Sequence, residues 1–316
     1  MNYKIVAIGG GSGLSTLLRG LKKYPFDITA VVAVSDDGGS SGKLRTELGV
    51  LPPGDIRNCL VALSEEESLM AKLFQYRFPK KGSLSNHSFG NLFLTALSEV
   101  SGGFDKAIAN AGDVLAIKGK VLPVSLENVS LKATLIDGKQ IKGESRISKS
   151  KNAIKHVEIF PKNAKVSGKV ADSIMQADFV ILGPGSLYTS VIVNLLFDGV
   201  IGALKKTKAK KIYICNIMTQ IGETANFNLT DHIAAIEQHS YKGILDAVLV
   251  NAGKIAAPVA RRYAREFSLP VEIDTNRHKN VKIIRKDFVS HTQYAHHDFE
   301  KLAKTIFSLI GEDKRK

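Results

Sequence analysis

The stretch Lys4 to Leu21 (KIVAIGGGSGLSTLLRGL) does most to limit what this chain can fold into. Tyr3 to Ile8 is a short, mostly apolar run of strand character, and Gly9, Gly10, Gly11, Ser12 and Gly13 follow at once. Leu14, Leu17, Leu18 and Leu21 then recur at the i, i+3, i+4, i+7 spacing of a helix packed on one face. A strand that runs through a glycine loop into a helix leaves backbone N–H groups free at the helix start. Those amides and the positive end of the helix dipole favour an anion, usually a phosphate. A lone glycine loop also serves as a tight turn, so this one alone does not decide between the two. The dinucleotide fingerprint is incomplete: counted from Gly9, Leu14 stands where the third glycine of G-x-G-x-x-G belongs. That, and the lack of a paired catalytic histidine, argues against an NAD-dependent oxidoreductase.

The next strand strengthens the phosphate reading. Ile28 to Ser35 (ITAVVAVS) is a continuous β-branched run of the kind found in parallel sheets buried on both faces. It ends on Asp36 and Asp37, where a β-α-β nucleotide fold places the carboxylate that holds a ribose hydroxyl. Gly38, Gly39, Ser40, Ser41 and Gly42 then offer amides and hydroxyls at the end of a strand. Further on, Ala177 to Leu182 reads as another buried strand and runs into Gly183, Pro184, Gly185 and Ser186, with an apolar helix from Val191. Two such loops on one parallel sheet predict a ligand crevice at the point where strand order reverses. Asn216 and Thr219, just past the strand Lys211 to Ile217, are placed to meet it.

Other segments read as support or stay open between two roles. Asp55 either caps the helix starting there or joins Arg57 and Asn58 in meeting a phosphate or sugar. Ser64 to Glu67 matches a capping box for a helix through Leu73. Asn91 and Gly90 open an apolar helix, and the neighbouring His87 is expected to make a local hydrogen bond. Residues 118–161 change character: short alternating runs flank Asp137-Gly138-Lys139, a hairpin signal, and predict an antiparallel excursion from the parallel chain. The expected architecture is therefore a single α/β domain over residues 1–316, Rossmann-like, with a mostly parallel sheet flanked by helices and this β insertion.

Composition narrows the partners. The chain has 316 residues and a formal net charge of +14, with a pI near 9.6. The basic residues are scattered, with one knot at Lys205, Lys206, Lys208, Lys210 and Lys211 that fits a solvated helix C-terminus. With no Trp and no aromatic stacking motif, the positive field suits phosphate-rich small ligands better than nucleic acid. No window holds the roughly 18 apolar residues of a membrane span. Cys59 and Cys215 make neither a disulfide framework nor a metal cluster, which fits a reducing cytoplasm.

Six segments, in order along nearly the whole chain, resemble the CofD/YvcK-like family. They are GGGSGLS at Gly9, SDDGGSSG at Ser35, PPGDIRN at Pro52, SFGN at Ser88, GPGSLYTS at Gly183 and CNIMTQ-x-GET at Cys215. The resemblance implies that Gly10 to Leu14, Asp36 to Ser41, Asn58, Asn91, Gly183 to Ser186, Asn216 and Thr219 line a nucleotide-sugar cleft. It also implies that Tyr263, in its Arg-Tyr-Ala setting, helps to hold the ligand. Within the family, YvcK-branch gluconeogenesis factors are cytoplasmic regulators that bind UDP-sugars, notably UDP-N-acetylglucosamine. They are linked to growth on gluconeogenic carbon, to cell shape and to cell-wall precursor supply. The wording of DDGGSSG, PPGDIRN and MTQ-x-GET is similar to that branch. By this resemblance no obligatory cofactor and no catalytic residue is expected. The candidate partners are the nucleotide sugar, an enzyme of amino-sugar or cell-wall precursor synthesis, and a second copy of the chain. CofD-branch members instead move a phospholactyl-type group from a guanosine diphosphate carrier to a deazaflavin alcohol with magnesium. In that alternative Asp36, Asp37 and Asp55 would supply oxygen ligands, against the plainer roles of ribose binding and helix capping. Two positions depart from the family pattern: Ile221 stands where proline is common, and His296 where arginine is frequent.

Overall fold

Alternate residues of β1 (Tyr3–Gly9) enter two different cores, Ile5 and Ala7 one and Val6 and Ile8 the other. The same division runs through β2 (Phe26–Val32) and β7 (Phe179–Leu182), which explains why these strands read as unbroken apolar runs. The computed structural model describes residues 2–65, 68–274, 280–290 and 292–313. Among these, β1, β2 and β7 join β3 (Lys120–Pro123), β8 (Lys210–Ile214), β9 (Ala247–Asn251) and β10 (Lys282–Lys286) in a seven-stranded sheet. Its order is β10-β9-β8-β7-β1-β2-β3, and every ladder is parallel. The chain builds outward from β1 to β3 on one side, then returns to β7 and builds to β10 on the other. Strand order therefore reverses between β1 and β7.

One core lies under α1 (Gly11–Leu21), α3 (Gly54–Leu63), the helices Phe89–Ser101 and Phe104–Val114, and the last helix, Phe299–Asp313. The opposite core is closed by the helices Gly168–Gln176, Asp198–Lys206 and Leu229–Gln238 together with a second sheet. That sheet is antiparallel, in the order β5-β4-β6, from β4 (Ser130–Leu135), β5 (Gln140–Lys142) and β6 (Ile154–Phe160). In β4 the side chains of Leu131, Ala133 and Leu135 point inward and alternate with half-buried polar ones, as a one-face sheet requires.

Four boundaries differ from the sequence expectation. Lys120–Pro123 pairs in parallel with β2 at the edge of the main sheet, so the antiparallel excursion begins later than residue 118. Residues 144–147 form a short helix, because Gly143 turns the chain at φ 102° straight after β5. Ser64 terminates α3, and the next helix, Leu69–Gln75, is capped by Ser68, whose Oγ accepts from the Ala71 N–H. Glu67, the other half of the expected capping box, lies outside the described residues. Last, the helix after the second glycine loop starts as a π-helix at Leu187–Ile192, four residues before Val191.

Candidate functional site

The two glycine loops touch. One leaves β1 and the other leaves β7, the neighbouring strands between which strand order reverses. A Cβ on Gly13 would collide with the Pro184 carbonyl, and one on Gly185 would lie 3.5 Å from the Gly10 carbonyl oxygen. At Gly13 only a residue without a side chain lets the two backbones approach this closely. A cleft of about 600 Å³ opens beside them, within the range of small-molecule sites. Its lining adds residues 216–223 from the loop after β8, Glu144 and Ser148 from the insertion, and Tyr263, Glu266, Ser268 and His296 from the C-terminal part.

Each loop leads into a helix whose first amides are already partly engaged. The Gly11 N–H donates to Asp55 Oδ2 at 2.6 Å, so Asp55, on the first turn of α3, caps α1 and not its own helix. Ser12 and Gly13, whose N–H groups have no acceptor within α1, line the cleft, and the first turn of α1 carries no acidic residue. At the second loop the Tyr188 and Thr189 N–H groups donate to Glu223 Oε2 at 2.8 and 3.2 Å, and Thr189 Oγ1 donates to Oε1 at 2.7 Å. Gln220 Nε2 donates to Ser186 Oγ at 2.9 Å and Asn216 Nδ2 to the Gly185 carbonyl at 3.0 Å. The loop after β8 thus fixes the loop after β7 with three side chains.

Carboxyl groups gather at and behind the cleft, and burial shifts them toward their neutral forms. Burial, joined by the nearby Asp36 charge, lifts Asp55 to about 6 although the Gly11 amide and Arg57 oppose the shift. Burial also raises Glu144, and Asp55 and Asp36 add to it; its Oε2 accepts from Ser35 Oγ at 3.0 Å. Glu223 is raised by burial against the pull of its hydrogen bonds. His297, half-buried and bonded through Nε2 to the Cys215 carbonyl, is drawn down by desolvation to about 4 and is neutral at pH 7. His296 lines the cleft and stacks on Tyr294 at 5.3 Å, with the Arg262 guanidinium on that Tyr294 ring at 4.5 Å.

Of the residues expected in the cleft, Gly10, Gly11, Ser12, Gly13, Pro184, Gly185, Ser186, Asn216, Thr219 and Tyr263 are brought together there. Leu14 is buried in the core behind the loop, and Gly183, at φ 81°, turns the chain out of β7. The segment from Asp36 to Ser41 lies outside the cleft lining and is engaged in hydrogen bonds to its neighbours. Asp36 Oδ1 accepts from the Gly38 N–H, and Asp37 Oδ1 takes both the N–H and the hydroxyl of Ser145, tying the insertion to the sheet. Gly39 starts α2 (Gly39–Leu48). Ser41 Oγ accepts the Gly54 N–H, and Ser40 Oγ meets Asn91 Nδ2 and His87 Nδ1, each at 3.1 Å. Asn58 lines a different, smaller cavity. Glu144, Ser148, Gln220, Glu223, Glu266 and Ser268 also line or border the cleft and lie outside the residues that the sequence assigns to it. Gln220 and Glu223 sit inside the MTQ-x-GET run, whose spacing was the available signal; Glu144 and Ser148 had none.

The family model described as 2-phospho-L-lactate transferase CofD matches residues 5–289 of this chain. The chain belongs to the CofD family. Over its length it is similar to the gluconeogenesis factor of Bacillus subtilis (strain 168), 45% identical over 312 residues that cover 98% of both chains. The gluconeogenesis factor of Halalkalibacterium halodurans is 47% identical over 279 residues, 88% of this chain and 87% of that one. A crystal structure of a UPF0052 family member from Bacillus halodurans superposes with a TM-score of 0.94 at 45% identity, covering 97% of this chain and 99% of that one. Among the described residues, no single helix is long and apolar enough to cross a membrane.

Proposed function

We propose that this chain is a cytoplasmic regulatory protein that binds a nucleoside-diphosphate sugar of the UDP-N-acetylglucosamine kind. Its occupancy would report precursor supply to an enzyme of amino-sugar or cell-wall synthesis, and so bear on cell shape and on growth on gluconeogenic carbon. The observation that carries the reading is the contact of two glycine loops at the switch point, beside a cleft large enough for a nucleotide. The diphosphate would meet the Ser12 and Gly13 amides at the positive end of α1. Tyr263 would lie along the base or the sugar. Relatives named gluconeogenesis factors match nearly end to end, which supports a regulator over a transferase. A ligand regulates only by binding two states unequally, and the C-terminal lining around Tyr263 is the part of the site least tied into the main cores. Calorimetry with UDP-N-acetylglucosamine against GDP tests this; preference for GDP would overturn it.

The family model's description as a 2-phospho-L-lactate transferase favours a second reading, a transferase, for which the CofD-branch resemblance implies a GDP-linked donor and a deazaflavin alcohol as acceptor. That reading would require Asp36, Asp37 or Asp55 to hold magnesium beside the substrate phosphates. Asp36, Asp37 and Asp55 each hold a backbone or hydroxyl hydrogen, and none of the three lines the cleft. Turnover of a deazaflavin acceptor with such a donor and magnesium would replace the regulator reading with this one.

A further inference from the structure

Asn58 leads away from the cleft to a second cavity of 190 Å³ between α1, α3 and the chain after the helix Leu69–Gln75. Three arginines line it: Arg19 from α1, Arg57 from α3, and Arg77. Ser15, Asn58 and Gln75 add neutral polar groups. Arg57 is only 6% exposed, and its Nε has no hydrogen-bond partner. Its other nitrogens are directed sideways, Nη1 to Ser88 Oγ and Nη2 to Asn58 Oδ1 at 2.7 Å. Among the described residues no carboxylate forms an ion pair with any of the three arginines.

A buried guanidinium beside the like charge of Arg77, with no carboxylate among the described residues in ion-pair contact, is costly. Burial, then the repulsion of Arg77, draws Arg57 down to about 10, and Asp55 recovers only part of the shift; at neutral pH it keeps its charge. An anion would supply the opposite charge that these arginines face. Two guanidinium forks, the Arg57 Nε, two amides and a hydroxyl exceed what one carboxylate accepts, whereas a phosphate brings about two charges and three or four acceptor oxygens. The volume sets the size of the rest: nucleotide-sized ligands fill roughly 300–1,000 Å³, more than is present here.

We infer that the cavity lined by Arg19, Arg57 and Arg77 is a second anion site, for inorganic phosphate or the phosphate of a small monoester. It stands independently of the nucleotide-sugar cleft, whose lining it does not share. Arg57 lies two residues from Asp55, which holds the Gly11 amide of the cleft loop, so the two sites are joined through the first turn of α3.

Thermal unfolding with rising sodium phosphate, and separately with glycerol 3-phosphate, at constant ionic strength tests the site. The wild-type midpoint should rise with either or both anions. The Arg19→Gln/Arg77→Gln double variant, altered at a half-buried and an exposed position, should fold and require at least tenfold more anion for the same shift. A response to phosphate alone identifies the free anion, and a response to glycerol 3-phosphate alone identifies a monoester; either supports the site. In crystals soaked with sodium tungstate, the anomalous peak should lie against Arg57. Equal midpoint shifts in variant and wild type, no shift in either, or a tungstate peak only in the large cleft would overturn the assignment. Because the double variant leaves every cleft residue in place, failure of the nucleotide-sugar proposal would not mimic any of these outcomes.

Discussion

Asp55 holds the Gly11 amide at a cost that pH reveals. Its folded-state value of about 6 lies above its ordinary 3.8, so between those values the folded protein keeps a proton that the unfolded chain releases. Stability from this group is present in full below about pH 3.8 and is lost as pH rises through 6, to a total of roughly 3 kcal/mol. Asp55→Asn keeps an acceptor for Gly11 and cannot ionise. The gap in unfolding free energy between Asp55→Asn and wild type should therefore widen in the variant's favour from pH 4 to pH 7, by about 1–3 kcal/mol. Urea denaturation at pH 4, 5.5 and 7 checks it, and comparing the two proteins at each pH cancels the other titrating groups. A gap that stays constant, or shifts toward wild type, would show that the carboxylate is not strained. The same site shows why its partner was not legible beforehand: Gly11 and Asp55 are 44 residues apart, and an aspartate after Pro53-Gly54 also reads as a cap for its own helix.

At the scale of elements, Glu223 is what keeps the π-helix Leu187–Ile192 seated over the second loop. It is buried and accepts the N–H groups of Tyr188 and Thr189 and the Thr189 hydroxyl within the π-helix, with a longer bond from Ser148 Oγ at 3.4 Å. Glu223→Ala would leave all three donors buried without an acceptor, at about 1–3 kcal/mol each before relaxation. A loss of about 3 kcal/mol or more in urea denaturation is expected, with nucleotide-sugar binding weakened alongside. Glu223→Gln, which retains one carbonyl acceptor, should lose less than half as much. If alanine and glutamine behave alike, the carboxyl oxygens are not what holds the helix. What the sequence made legible at this scale follows a physical division. Strands buried on both faces announce themselves by composition, and glycine loops by the absence of side chains, so β1, β2, β7 and the two loops could be read directly. Choices of partner are made by tertiary contact. Lys120–Pro123 looks like part of the antiparallel run until β2 is seen to pair with it. Asp37 reads as a ribose ligand from the chain alone, and the bond it accepts from Ser145, 108 residues away, is visible only in the fold. Glu144 reaches the cleft only because Asp37 pins the short helix it opens.

For the whole molecule, the site is a meeting of segments that have little else in common. The first loop hangs on one core, the π-helix on the other, Glu144 and Ser148 come from the antiparallel sheet, and Tyr263 belongs to a third, minor cluster with Ile217, Met218, Val289 and Ala295. A ligand that bridges them must slow local opening in all of them at once, since each segment's exchange reports its own unfolding. Hydrogen exchange with saturating UDP-N-acetylglucosamine should therefore fall at residues 12–16, 144–148, 186–190, 218–223 and 263–268 together. The largest effect is expected at 263–268, because the helix Ala257–Arg265 buries no residue fully and so opens most readily. Phosphate alone should instead protect residues 15–19 and 57–61, with little change at 263–268. Protection by the nucleotide sugar limited to the first loop would mean that the ligand meets α1 without spanning the cleft, and the regulatory role of the C-terminal segment would then have no physical basis.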